Sequence, residues 1–200
     1  QYLQHRAELI VDNVIERGEC DFVNDLAMEL PLQAIAEIMG VPQNDRRLLF
    51  DWNKTMVGSQ DPEYTKSGEL ADMDEATAAA AELYVYVNQL RDERKADPRD
   101  DIVTKLINAE IEGDRLSDEE FEMFMLLLSV AGNETTRNAT SHGMWGLMSN
   151  PDQFDLLKRD LEGNVANMIE EAVRWGSPVL HFRRQTTTAC QVHGVDLDDH

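Results

Sequence analysis

Ala131-Gly132-Asn133-Glu134-Thr135-Thr136 is the stretch on which the fold of this chain turns. It follows the apolar run Phe124 to Leu128, inside a segment of helical texture that opens at Ser117 and stops at Pro151. Ser117 with Glu120 matches a capping box, in which hydroxyl and carboxylate satisfy free backbone donors at a helix start. A helix of about 33 residues rises about 1.5 Å per residue and would cross roughly 50 Å, the width of a medium domain. Glycine inside such a helix costs about 1 kcal/mol relative to alanine, so Gly132 asks for a reason. Small residues at 131 and 132 open a groove where a flat cofactor or small ligand can approach the backbone. Thr135 can bond back to the Ala131 carbonyl four residues earlier, a contact that bends helices and admits water. Glu134 supplies a carboxylate that can relay protons. The competing explanation is a packing glycine with a polar flank facing water.

The flanking sequence is helical almost throughout. Tyr2 to Arg17 carries Leu3, Ala7, Ile10, Val14 and Ile15 at near-helical spacing, and Gly18 can end it. Cys20 to Val23 reads as a short extended piece. Ala27 to Met39 predicts a second helix, with Pro31 near its first turn and Gly40 closing it. Asn44 to Val57 predicts a third, with Leu48, Leu49, Trp52 and Met56 on one side. Gly58 to Gly68 is a polar loop, and Glu69 to Lys95 a long alanine-rich helix. A short helix over Asp100 to Ala109 follows Pro98. Beyond Pro151 come a short helix to about Arg159 and another from Val165 to Trp175. After Pro178 the texture turns β-favouring at Thr186, Thr187, Thr188 and Val192, with Gly194 as a turn. The Met residues at 123, 125, 144 and 148 read as core.

Glu171 and Arg174 lie three residues apart, on one helix face, where carboxylate and guanidinium can pair fork to fork. The spacing alone is weak: Glu112 and Arg115, and Glu134 and Arg137, share it. Most such pairs are surface bridges worth about 0–1 kcal/mol. What separates Glu171 and Arg174 is order, since they follow the glycine-bearing helix and precede a strand-like Phe182-Arg183-Arg184.

Ala-Gly-x-acid-Thr-Thr in a long central helix, then Glu-x-x-Arg, then an arginine on the next strand, resembles the cytochrome P450 family. The likeness runs over essentially the whole chain. Leu30 to Ala36, Val41-Pro42-Gln43, Asp101 to Thr104 and Ala131 to Asn138 are most similar to actinobacterial enzymes that hydroxylate the side-chain terminus of cholesterol and cholestenone. The resemblance implies a mainly α fold with a minor β part, residues 1–200 forming one partial domain. It implies haem b as cofactor, a steroid-like substrate, dioxygen chemistry, and electrons from ferredoxin and ferredoxin reductase. By the same resemblance Ala131 and Gly132 would lie over the haem, and Thr135 would be the alcohol that stabilises iron-bound hydroperoxide, with Glu134 its acidic neighbour. Glu171 and Arg174 would form the structural pair on the haem's proximal side, and Arg184 would reach a haem propionate. Val130, Val179 and Phe182 would line the substrate pocket.

The family's iron ligand sits in a Phe-x-x-Gly-x-x-x-Cys-x-Gly loop, and no such string occurs in the 200 residues. Cys20 and Cys190 match neither its position nor its surroundings, so both are expected to be bland thiols. Thiolate donation is what favours O–O cleavage, so the chain on its own is expected to be an inactive fragment of the enzyme. A helical binding or scaffold protein that kept the fold without haem is the alternative. A di-iron bundle would need Glu-x-x-His, which none of the five histidines completes. His142, two turns beyond Thr135, reads as a packing residue.

Composition narrows the classes further. Apolar residues make up 42 % and the formal net charge is −21, against the basic surface that nucleic-acid binding requires. The acidic residues are dispersed, giving a self-repelling surface. No apolar run reaches the roughly 18–20 residues of a membrane helix, and nothing reads as a signal peptide. Two distant cysteines fit a reducing cytoplasm.

Overall fold

The computed structural model describes residues 1–58, 73–182 and 184–198. Eight α-helices and one small hairpin are formed by these residues: α1 Tyr2–Ile15, α2 Glu29–Met39, α3 Arg46–Val57, α4 Met73–Ala96, α5 Ile102–Asn108, α6 Asp118–Ser149, α7 Pro151–Arg159, α8 Leu161–Gly176, β1 Cys190–Val192 and β2 Val195–Leu197. The expected loop over Gly58 to Gly68 and the start of the alanine-rich helix at Glu69 lie mostly outside the described residues.

Local chemistry explains most boundaries. The Ser117 capping box is made in full: Ser117 N–H donates to the Glu120 carboxylate at 2.8 Å, and the Ser117 hydroxyl accepts from Glu120 N–H at 3.2 Å. Gly40 ends α2 in the left-handed region at φ 71°, and Val41 N–H reaches back to the Ala36 carbonyl at 2.8 Å. That is the usual glycine-terminated helix stop. Asp101 caps α5 by accepting Thr104 N–H at 2.8 Å. His193 and Gly194, both at positive φ, turn β1 into the antiparallel β2. Two successive positive φ values match the right-handed twist of a tight hairpin.

Three expectations change. Cys20 to Val23 is not extended: Phe22–Ala27 forms a π-helical segment, started by Asp21, whose carboxylate accepts the N–H groups of Val23 and Asn24. A carboxylate placed on two free amides makes the turn locally better than a strand with no partner. Phe182 and Arg184 lie in irregular chain rather than on a strand, and Thr186 to Thr188 fall outside the hairpin. Of the methionines near α6, only Met125 belongs to the core; Met123 and Met148 are exposed, because α6 packs on different neighbours along its length.

The core lies where α2, α3, α4 and α5 meet the first half of α6. It is built from Leu32, Ile35, Ala36 and Met39 of α2, Leu49, then Leu83, Val87 and Leu90, with Val103, Phe121 and Met125. A buried ion pair clamps its edge: Arg94 Nε donates to Asp101 at 2.5 Å while Arg94 Nη2 donates to the Gly40 carbonyl at 2.7 Å. One guanidinium thereby ties α4, α5 and the end of α2. Burial raises the Asp101 carboxyl pKa, but bonds from Arg94 and Thr104 outweigh it and leave the group below its ordinary value. The second half of α6 packs on α8, with glycines at the closest approach. A Cβ on Gly143 would meet Ala172, one on Gly146 the Trp175 ring, and one on Gly176 the His142 side chain. His142 is thus a packing partner of α8. None of the described helices is long and apolar enough to cross a membrane.

Candidate functional site

The central helix places two different surfaces at its midpoint. Ala131 is exposed and Thr135, one turn on, is half-buried. The Thr135 hydroxyl donates to the Ala131 carbonyl at 2.8 Å, the back-bond expected from the spacing. Three more hydroxyls do the same nearby: Thr136 to Gly132 at 3.4 Å, Thr140 to Thr136 at 2.8 Å and Ser141 to Arg137 at 2.8 Å. Carbonyls with a second donor have weaker claims on the helix ladder, so this half of α6 is easier to bend than the first. Phe124 and Leu127 continue the open side toward the N-terminus. Together Leu127, Ala131 and Thr135 make an apolar strip with one alcohol, against which a flat apolar group can lie.

Gly132 plays a different part from Ala131. A Cβ there would lie 2.7 Å from Ile35 Cδ1, so its missing side chain is filled by α2. Gly132 thus serves helix packing rather than a groove, while Ala131 is exposed on the other side of α6.

Glu134 is buried and turned to Arg137, which donates to its carboxylate; their side chains are only 12 % and 10 % exposed. Burial pushes the Glu134 carboxyl above its ordinary value, and the adjacent guanidinium pulls the other way. A carboxyl raised by burial is better placed to take up and return a proton than a solvated one. The Glu171–Arg174 pair is the opposite case. Arg174 Nε and Nη2 donate to the two carboxylate oxygens at 2.6 Å each, yet the side chains are 61 % and 68 % exposed. The bond from Arg174 holds the Glu171 carboxyl below its ordinary range. Spacing alone could not tell these two pairs apart, and the sequence reading missed Arg137 as a buried partner. The signal available was the four-residue recurrence Phe121, Met125, Ser129, Asn133, Arg137, which marks one inward stripe.

Thr135 also opens onto a groove of about 640 Å³ between α6 and α8, lined among others by Phe22, Ala139, Met144, Ile169, Val173 and Pro178. Glu171 and Arg174 line a second groove of about 620 Å³ with Trp175 and the end of α6. Val130 is half-buried beside Ala131. Val179 and Phe182 are exposed on the segment after Ser177 and line neither groove. Arg184 is exposed and its guanidinium lies 5.5 Å from the Phe182 ring centre. Cys20 and Cys190 are free and exposed. The structure therefore brings Ala131 and Thr135 together on one face, sets Glu134 behind it, and leaves Val179, Phe182 and Arg184 along an uncovered tail.

The long central helix carrying this strip is followed along the chain by the helix that bears Glu171 and Arg174. The cytochrome P450 family profile matches residues 63–199, and the chain belongs to that family. Among curated proteins it is similar to a steroid C26-monooxygenase of Rhodococcus jostii (strain RHA1), at 48 % identity over 98 % of this chain and 39 % of that one. A steroid C26-monooxygenase of Mycolicibacterium smegmatis is 45 % identical over 98 % of this chain and 43 % of its own length. The chain thus spans about two fifths of the curated relatives it matches. Among solved structures it is similar to cytochrome P450 CYP268A2 of Mycobacterium marinum in complex with pseudoionone, with a TM-score of 0.88 and 33 % identity, over 99 % of this chain and 48 % of that one. The mainly α fold with a small β part is accordingly that of part of a cytochrome P450.

Proposed function

We propose that the chain is the middle-to-late part of a monooxygenase that hydroxylates a hydrophobic substrate, a steroid such as cholesterol or cholestenone, using dioxygen. The observation that carries this reading is the Thr135–Ala131 back-bond on the open face of α6, an alcohol set beside a small residue midway along a 32-residue helix. The relatives named for steroid C26 chemistry support the substrate class. In this reading electrons come from ferredoxin and ferredoxin reductase, and the enzyme works in the cytoplasm.

The residues present fit one face of haem b. Ala131, small and exposed, would leave room for the ring, and Leu127 would offer an apolar edge. Bound there, the haem would supply the oxygen activation that no side chain can. The chain's own residues do the rest. Thr135 presents a hydroxyl whose proton goes to the Ala131 carbonyl, leaving its oxygen free to accept a further hydrogen bond. Glu134 supplies a carboxyl whose burial favours the protonated form while Arg137 pulls the other way. Arg184 would pair with a carboxylate of the haem, Glu171 and Arg174 would act as a structural pair beside it, and Val130, Val179 and Phe182 would contact substrate.

Two measurements on the complete protein test this. Reading the gene beyond the codon for His200 should give a Phe-x-x-Gly-x-x-x-Cys-x-Gly loop. The reduced, carbon-monoxide-treated protein should show a thiolate-type haem band, and cholestenone should perturb the haem spectrum. A folded helical protein without haem would overturn the proposal in favour of a binding or scaffold role.

A further inference from the structure

Behind the face of Ala131 and Thr135, α6 turns another set of side chains inward. Phe121, Met125, Ser129, Asn133 and Arg137 recur every four residues and all are buried. The first two complete the apolar core, and from Ser129 onward the stripe is polar. Ser129 is satisfied by Asn53 and by the Leu126 carbonyl. Arg137 gives one terminal nitrogen to Glu134. On this stripe three buried side-chain atoms have no hydrogen-bond partner among the described residues: Asn133 Oδ1, Asn133 Nδ2 and Arg137 Nε.

Asn133 is wholly out of solvent. Exchanging the two ends of its amide changes nothing, since neither end has a partner. Buried polar atoms in folded proteins are nearly always bonded, to protein or to ordered water. Asn133 and Arg137 lie one turn apart on one buried face of α6, neighbours that one small ligand can bridge. Water is the ligand that suits both, accepting from Arg137 Nε and donating to Asn133 Oδ1. Two to four polar partners per molecule is what a buried water needs.

We propose that Asn133 and Arg137 form a buried water site on the inner side of α6, and that Asn133, through this water, fixes the guanidinium that holds Glu134. Asn133 is then a positioning residue for the carboxyl, a role that rests on the function proposed for Glu134. The site is separate from the face that Thr135 presents. It gives the Glu134–Arg137 pair a polar surrounding within a packed helix bundle.

The test is a high-resolution crystal structure of the complete protein and of its Asn133→Leu and Asn133→Ser variants. The expected wild-type map has ordered water within hydrogen-bond reach of both Arg137 Nε and Asn133. Asn133→Leu loses that water, and its coupling of electron use to product falls about 2- to 10-fold, short of the roughly 10²-fold loss of a proton donor itself. Its solvent isotope effect on product formation rises as well. Asn133→Ser, which keeps a hydroxyl for the water, restores most of the coupling. A wild-type map in which protein atoms satisfy Asn133 and Arg137 Nε overturns the proposal, and so does unchanged coupling in a dry Asn133→Leu. If Asn133→Leu does not fold, the wild-type map and the serine variant decide. Failure to bind haem would sink the monooxygenase reading instead, and the map would still judge the water site.

Discussion

Asn53 on α3 and Ser129 on α6 bond to each other twice. Asn53 Nδ2 donates to the Ser129 carbonyl at 3.0 Å, and the Ser129 hydroxyl donates to Asn53 Oδ1 at 3.1 Å. Both residues are fully buried. The exchange pins α3 to the central helix half a turn before Ala131. Asn53→Ala removes it and strands part of Ser129, at a cost of about 1–3 kcal/mol. Chemical denaturation of the complete protein should show the midpoint fall; an unmoved midpoint would mean that the pair is not holding α3.

Gly132→Ala should be mildly destabilising despite alanine's better helix propensity. The gain of about 1 kcal/mol is set against overpacking on Ile35, which costs about 1–3 kcal/mol. Because the clash is with the tip of Ile35, Ile35→Val should recover much of the loss in the double variant. Additive effects in that double-mutant cycle would show that the two residues do not meet.

Gly40→Ala has no such escape. The residue sits at φ 71°, and a Cβ would lie 2.3 Å from Asp101 Oδ2, which is itself held by Arg94. Left-handed backbone costs a side chain about 1–2 kcal/mol before the clash is counted. Thermal unfolding should report a loss beyond that range, with the Arg94–Asp101 pair displaced. A stability equal to wild type is the contrary result.

Thr135→Ala in the complete enzyme should leave haem and substrate binding intact while electrons are diverted to peroxide. Thr135→Ser keeps the hydroxyl that bonds to Ala131 and should stay close to wild type. Comparing cofactor oxidised with product formed measures this directly, and full coupling in the alanine variant would falsify the role given to Thr135.

Glu134 should leave a signature in the pH dependence of stability. Its folded-state pKa is raised, by burial first. The folded state therefore binds the proton more tightly than the unfolded chain. The stability this provides is full below the ordinary glutamate value and is lost as pH rises through the higher folded value. Relative to Glu134→Gln, which does not titrate, wild type should lose stability as pH climbs upward from about 4.5. A flat difference would place the carboxyl in a solvated setting, and one that grows in favour of wild type would mean that the Arg137 bond outweighs burial.

Much of the helical frame was legible in the residues. The start of α6 at its capping box, the stop of α2 at Gly40, and the Thr135–Ala131 bond all depend on groups within one or two turns of each other. The order of Ala131–Thr136, Glu171–Arg174 and Arg184 was enough to suggest the family. Less legible were Cys20 to Val23, where a π-helical segment replaces the expected extended piece, and Phe182 and Arg184, which lie on no strand. Strands need partners from elsewhere in the chain, and β-favouring composition does not provide one.

By itself the sequence determined what short-range bonding can settle: which stretches are helical, where they stop, and which hydroxyl returns to which carbonyl. Only the tertiary structure decided which of two identical spacings matters. Glu134–Arg137 is packed away from water and Glu171–Arg174 lies open to it, although both are acid and arginine three residues apart. The same is true of Gly132, whose use is set by Ile35 on a distant helix. A hydrogen bond within one turn is fixed by local geometry. Desolvation and steric fit are fixed by whatever other elements bring against that turn, and those elements lie far away along the chain.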